Sequence, residues 1–218
     1  MQDVRTDRNK YIGGSDIPTI MNINPFKKRF DLLLEKADLL ENDFDGNVYT
    51  EYGNILEPKI REYINKLKNT NYIEYKKIDG NIRCHLDGFN DVSVLEIKTT
   101  SQVRKKVNSY KKYLVQLLFY MQQTNVERGL LAVYERPKDF SEEFHEERLQ
   151  LFDIDIKDYD ELLKEINTAL KKFIEDLEKI DGNNLYEYYL NVLKNDTVDI
   201  YVIGEYNNID IINKFMKI

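Results

Sequence analysis

Leu86-Asp87-Gly88-Phe89, then Asn90-Asp91, then Val94-Leu95-Glu96-Ile97-Lys98-Thr99-Thr100: two short segments meet across a turn signal. Asn81 to Phe89 and Ser93 to Thr100 therefore read as an antiparallel hairpin. Residues two apart on a strand share a face, so Glu96 and Lys98 point one way and Ile97 the other. The hairpin brings Asp87 beside them. Two carboxylates with a backbone carbonyl form a hard oxygen site suited to Mg²⁺. A lysine alongside can orient or help deprotonate a water, or balance charge on a phosphate. The plainer alternative is an exposed Glu–Lys pair on a half-buried strand, and Asp87 across the turn weighs against it.

Outward from the hairpin the period changes to that of helices. On the N-terminal side, Ser15-Asp16 are good N-cap residues before Ile17, Ile20 and Met21. Asn24-Pro25 breaks the chain, and Phe30, Leu33, Leu34 and Ala37 make a second apolar stripe. A polar loop is expected at Asn42–Asn47. Tyr52 to Leu67 is a third helix, with Leu56, Ile60, Tyr63, Ile64 and Leu67 on one face and Pro58 marking a kink or a start. On the C-terminal side, Tyr110 to Gln123 is helical and Gly129 to Tyr134 is a buried strand. Leu149 to Ile156 is a further strand, alternating Leu149, Leu151 and Asp153 with Gln150, Phe152 and Ile154. Tyr159 to Ile180 is a long amphipathic helix. The expected fold is α/β, a small mixed sheet flanked by helices. Residues 1–180 form one domain and residues 181–218 a tyrosine-rich extension to which no role is assigned.

The chain has 218 residues, 42% hydrophobic and 33% charged, enough apolar surface for one sizeable core. No stretch approaches the roughly 20 apolar residues of a membrane helix. Met1 to Arg8 lacks the apolar centre of a signal peptide, so a cytoplasmic protein is expected. Cys84 is the only cysteine and builds neither a disulfide nor a metal cluster. His85 and His145 are isolated and read as structural or exposed. Net charge is −7, which argues mildly against a nucleic-acid partner, but the charges are segregated. Gln102 to Tyr113 holds Arg104, Lys105, Lys106, Lys111 and Lys112 and no acid, whereas Asp139 to Glu161 holds ten acids and two bases. The basic island is either a DNA-facing strip or a solvated helix face.

Asp87 followed by Glu96-Ile97-Lys98 resembles the PD-(D/E)XK nuclease signature, with His85-Leu86 before the aspartate instead of a proline. Ile12-Gly13-Gly14-Ser15-Asp16-Ile17, then Asn24-Pro25-Phe26 and Gly53-Asn54-Ile55-Leu56-Glu57-Pro58, are similar to the YqaJ-type viral recombinases, the family of phage lambda exonuclease. Tyr113 to Met121 matches that family's helix after the catalytic strands. The resemblance runs from about Arg8 to Tyr134, in the family's order.

This resemblance implies a PD-(D/E)XK core and a Mg²⁺-dependent 5′→3′ exonuclease on double-stranded DNA ends, in which Mn²⁺ substitutes and one or two ions occupy each site. Asp87 and Glu96 correspond to the metal ligands, with the Ile97 carbonyl beside them, and Lys98 to the catalytic lysine. Glu57 corresponds to an acidic residue that completes or supports the metal site. Tyr113 and Gln116 fall on the helix backing the site, where Gln116 would help hold Lys98 or the water. Arg8 and Ser15 have the spacing of the pair that grips a terminal 5′-phosphate. The Gly13-Gly14 turn has a physical logic of its own, because glycines let backbone N–H groups approach an anion at a helix start. Arg104, Lys105 and Lys106 are candidate DNA contacts. A single-strand annealing protein as partner, a homo-oligomeric ring and phage or prophage origin in a bacterial host are implied in the same way. The rival readings are a restriction-type or structure-specific endonuclease on the same core, and a DNA-binding module without catalysis.

Overall fold

The structure is a computed structural model that describes residues 7–40 and 46–180. The extension at 181–218 and most of the loop expected at Asn42–Asn47 lie outside the described residues.

Among the described residues, a short 3-10 turn at Arg8–Lys10 leads into a two-residue strand β1 (Ile12–Gly13), a single turn α1 (Ile17–Ile20) and α2 (Arg29–Lys36). The long α3 (Val48–Lys68) follows, then β2 (Ile73–Asp79), β3 (Ile82–Phe89) and β4 (Ser93–Thr100). The chain continues through α4 (Lys111–Thr124), β5 (Arg128–Glu135), β6 (Leu149–Asp155) and α5 (Asp160–Lys179). The six strands form one mixed sheet. The hairpin of β3 and β4 and the strands β5 and β6 fall where the sequence places them.

Helix α3 begins four residues before Tyr52 because Asn47 caps it, its side chain accepting from the Tyr49 and Thr50 N–H groups at 3.0 Å each. Asn69, left-handed at φ 52°, closes it. Tyr52, Leu56, Ile60 and Ile64 recur every four residues and are buried, whereas Leu67, expected on that face, is 57% exposed in the last turn. The helix runs on through Pro58, which removes one backbone bond without ending the helix. No element is expected from sequence between Leu67 and Asn81, yet β2 lies there. It is an edge strand with mostly exposed residues, so it lacks the alternation of a half-buried strand.

The sheet divides two apolar layers. Leu130, Ala132 and Tyr134 of β5 face Tyr52, Leu56 and Ile60 of α3. Leu131 and Val133 face the other way, towards α4, α1, α2 and α5. Both faces of β5 are covered, which accounts for its unbroken apolar run. The alternation expected in β6 is real: Leu149 and Leu151 pack on the α3 side, Phe152 and Ile154 on the α4 side. Helix α4 is buried along Leu114 to Met121, wedged between the sheet and the outer helices. An Arg29–Asp176 ion pair at 2.6 Å ties α2 to α5.

One topological detail positions the site. β2 pairs with β3 at both ends, Asp79↔Ile82 and Ile73↔Phe89, and so fills one edge. β1, beside Ile82 and Arg83, and β4, beside Gly88 and Phe89 only, must therefore share the other edge. Beyond Gly88↔Leu95, β4 leaves β3 and keeps pairing with β5 as far as Thr100↔Glu135. The sheet forks at Asp87. A Cβ at Gly88 would lie 2.9 Å from that of Tyr72 and 3.0 Å from that of Leu95, so the root of the fork closes only around glycine.

Candidate active site

The fork leaves backbone groups of β4 without a strand partner, and Asp87 supplies one. Its Oδ2 accepts the Ile97 N–H at 2.7 Å, so the carboxylate stands where the ladder would have continued. Glu96 and Lys98 share a face, as a strand requires, and form an ion pair. Glu96 is 0% exposed, yet neither carboxylate oxygen has a well-formed hydrogen bond. Burial, and then the charge of Asp87, push the Glu96 carboxyl up to about 8 against the pull of Lys98. Burial would lower Lys98, but Glu96 and Asp87 outweigh it and hold the ammonium above its ordinary value.

Glu57 reaches the same place from α3. Burial raises its carboxyl, Asp87 adds to the rise, and Arg61 opposes it from 2.8 Å. Arg61 also donates to the Asp87 backbone carbonyl, so one guanidinium links α3 to the arm of the fork. The sequence reading missed Arg61; its signal was the four-residue spacing from Glu57, which puts both on one helix face.

These residues open into a cleft of about 1060 Å³ between the starts of α3 and α4. Glu57, Asp87, Ile97 and Lys98 lie in its wall with Tyr113 and Arg104. Five cations (Lys98, Arg104, Lys111, Lys112 and Arg136) face two carboxylates there, in a chain whose net charge is −7. Arg136 is the cleft cation that sequence did not single out. It follows β5, and its N–H donates to the Thr100 carbonyl at 2.9 Å. Parallel pairing of β4 and β5 brings both carboxyl ends to one place, where open α/β sheets bind ligands.

Other expected residues lie elsewhere. Gln116 is buried on α4 and donates to the Tyr120 hydroxyl at 3.5 Å, with no hydrogen bond to Lys98 among the described residues. Burial, then Glu96 and Asp87, push the Tyr120 phenol well above its ordinary value. Arg8, Gly14, Ser15, Lys105 and Lys106 are absent from the cleft wall, although Ser15, Lys105 and Lys106 are exposed. Gly14 has a packing role: a Cβ there would stand 2.4 Å from the Tyr120 ring. The helix start is capped from within, since Asp16 Oδ2 accepts the Gly13 N–H at 2.9 Å and pairs with buried Lys36 at 2.8 Å. Lys36 also donates to the carbonyls of Arg8 at 2.8 Å and Tyr11 at 2.5 Å, tying the N-terminal segment to α2.

The donor chemistry fits a hard divalent cation. Asp87 and Glu96 offer carboxylate oxygens that a bound cation would hold ionised, and the buried Glu96 oxygens have no well-formed hydrogen bond beyond the Lys98 contact. Among the described residues no three His, Cys, Asp or Glu side chains form a ready-made metal cluster, so the fit rests on two carboxylates and the backbone at Ile97.

A forked mixed sheet with helices on both faces and an aspartate, glutamate and lysine at the fork defines a fold of the PD-(D/E)XK type. The chain belongs to the YqaJ-like viral recombinase domain family, whose model matches residues 5–127. Its fold is similar to that of an alkaline exonuclease, LHK-Exo, from Laribacter hongkongensis, with a TM-score of 0.58 at 19% identity, over 86% of this chain and 94% of that one. LHK-Exo in complex with dAMP gives a TM-score of 0.58 over the same shares at 17% identity. A phage related exonuclease from Haemophilus somnus 129PT gives 0.57 at 16%, over 77% of this chain and 94% of that one. In sequence the chain is 24% identical, over 228 aligned positions, to the uncharacterized protein MG373 of Mycoplasma genitalium, covering 76% of this chain and 81% of that one. Among the described residues no helix is long and apolar enough to cross a membrane.

Proposed function

We propose that this protein is a metal-dependent exonuclease that hydrolyses linear double-stranded DNA in the 5′→3′ direction. The observation that carries the proposal is the buried, hydrogen-bond-poor Glu96 carboxylate directly behind Asp87 and Lys98, which line a cation-rich cleft in an acidic chain. Family membership and the names of the structural neighbours, exonucleases of alkaline or phage-related type, support it. The dAMP bound by LHK-Exo is the kind of mononucleotide such a reaction releases.

Asp87 and Glu96, with the Ile97 carbonyl, would hold Mg²⁺, or Mn²⁺ in its place, as one or two ions. The ion supplies Lewis acidity for water activation and leaving-oxygen stabilisation. Lys98, a cation in contact with Glu96, balances charge that builds on the scissile phosphate. Glu57, paired with Arg61, would complete or support the metal site from α3, while Arg61 holds the Asp87 carbonyl. Cations in the wall draw the strand in, while the acidic remainder of the surface repels it, and that contrast focuses DNA on the cleft. Arg8 and Ser15 are proposed to grip a terminal 5′-phosphate, which would set the polarity, and Arg104, Lys105 and Lys106 to contact the duplex. A ring-shaped homo-oligomer and a single-strand annealing partner complete this reading of a phage recombination enzyme in a bacterial cytoplasm.

The deciding assay offers end-labelled linear duplex and a nicked circle, each with Mg²⁺ and with EDTA. Release of mononucleotides from the linear duplex alone, and only with the metal, is expected. Cleavage of the circle at a comparable rate would favour an endonuclease. Binding without cleavage of either would leave a DNA-binding module.

A further inference from the structure

Two cations in the cleft wall are held in an unusual way. The Arg136 guanidinium lies over the Tyr49 ring at 4.3 Å and the Phe140 ring at 5.2 Å. Lys112 Nζ lies over the Tyr113 ring at 4.8 Å and the Phe26 ring at 5.4 Å. Among the described residues neither cation has a carboxylate within ion-pair distance, whereas the other cation at the centre, Lys98, is paired with Glu96. An aromatic face fixes a cation in place through its quadrupole and leaves its net charge intact. A carboxylate would fix it and cancel the charge.

The two clamps stand on opposite sides of the sheet. Phe140 packs with the α3-side core, and Tyr113 with the α4-side core. Their outer rings are open to solvent, Tyr49 at 53% and Phe26 at 86%, an unusual exposure for a phenylalanine unless something covers it. The turn that carries Phe26 is fixed by its N–H donating to the Asn24 side chain at 3.0 Å and by Asn24 donating to Thr19 at 2.8 Å. Both cations share the cleft wall with Asp87 and Lys98.

We infer that Arg136 and Lys112 are the backbone-phosphate contacts of the DNA strand on either side of the Asp87–Glu96–Lys98 centre, each kept fully charged and in place by its pair of aromatic rings. The inference rests on the nuclease reading and deepens it by naming how the strand is held across the centre. The guanidinium suits a phosphodiester because its fork bonds two oxygens at once. Tyr49 and Phe26 act through the cations and are positioning residues.

The test is DNA binding in EDTA, read by fluorescence anisotropy on an end-labelled duplex across a KCl series. Each phosphate contact contributes about 0.7–0.9 to the slope of log K against log salt, the lower figure for a single strand. Arg136→Gln and Lys112→Gln are each expected to reduce the slope by about that amount. Tyr49→Ala is expected to weaken binding several-fold at fixed salt and keep the slope, because the charge stays while its placement is lost. Arg136→Lys, which keeps the charge, is expected to keep the slope as well. Glutamine variants that fold, bind and retain the wild-type slope would overturn the inference and leave the nuclease reading standing. A wild-type chain that binds no duplex at any salt would overturn both.

Discussion

Replacing Glu96 by glutamine is expected to make the metal-free protein more stable and the enzyme inactive. Glu96 is 0% exposed, and its carboxyl is pushed up to about 8 from an ordinary 4.5 by burial and then by Asp87, with Lys98 opposing. A carboxyl whose folded value lies above its unfolded value binds its proton more tightly when folded. Stability is therefore full below the unfolded value and falls as pH rises from 4.5 to about 8. Glutamine mimics the protonated form at every pH and escapes that loss. At about 1.4 kcal/mol for each tenfold in proton affinity, the advantage is about 1 kcal/mol near pH 5 and approaches about 5 kcal/mol above pH 8. Water entry and relaxation around the charge shrink it, and about 2 kcal/mol at alkaline pH is the expectation. Urea unfolding of both proteins in EDTA, near pH 5.5 and near pH 8.5, measures it. Adding Mg²⁺ should then stabilise the wild type and not the variant, because a ligand that binds only the folded state adds its binding free energy. A glutamine variant no more stable than wild type at alkaline pH, or one equally stabilised by Mg²⁺, would refute the reasoning.

Lys98→Ala should lower the rate of hydrolysis by about two or more orders of magnitude while duplex affinity in EDTA changes little, since the lysine acts on charge that develops during reaction. Equal losses in binding and in single-turnover rate would count against that role. Lys36→Met should destabilise the fold by about 3–5 kcal/mol, because it leaves Asp16 buried without its partner and frees the Arg8 and Tyr11 carbonyls. A denaturation midpoint unchanged from wild type would show that this buried pair holds nothing.

Much of the fold was legible in sequence because its signals are local. The Asn90-Asp91 turn, the apolar run of β5, the alternation of β6 and the stripe of α5 each depend on residues a few positions apart, and each element appears where expected. β1 and β2 were not legible for the same reason. β1 has two residues and pairs only with β3, and β2 exposes both Ile73 and Ile78, so neither carries a pattern of its own.

The chemistry of the site divides in a similar way. Sequence alone determined that Asp87, Glu96 and Lys98 would meet, because a hairpin and a two-residue repeat are enough to place them. It also determined that Glu57 and Tyr113 lie on helices of the right period. Only the tertiary structure decided how hard these groups press on one another. The fork at Asp87 arises because β1 and β4, strands about 80 residues apart in the chain, compete for one edge of β3. That competition turns Asp87 onto the Ile97 N–H and leaves buried Glu96 with Lys98 as its polar contact. Likewise, no spacing in the sequence connects Tyr49, Arg136 and Phe140, or Phe26 and Lys112, which come together because α3 and α4 cover opposite faces of the same strand end. Gly14 makes the same point: its local sequence reads as a glycine turn at a helix start, and only the folded chain puts the Tyr120 ring where its Cβ would stand. Local sequence carries dihedral preference and periodicity, whereas burial, electrostatic coupling and contacts between distant segments exist only once the chain has closed on itself.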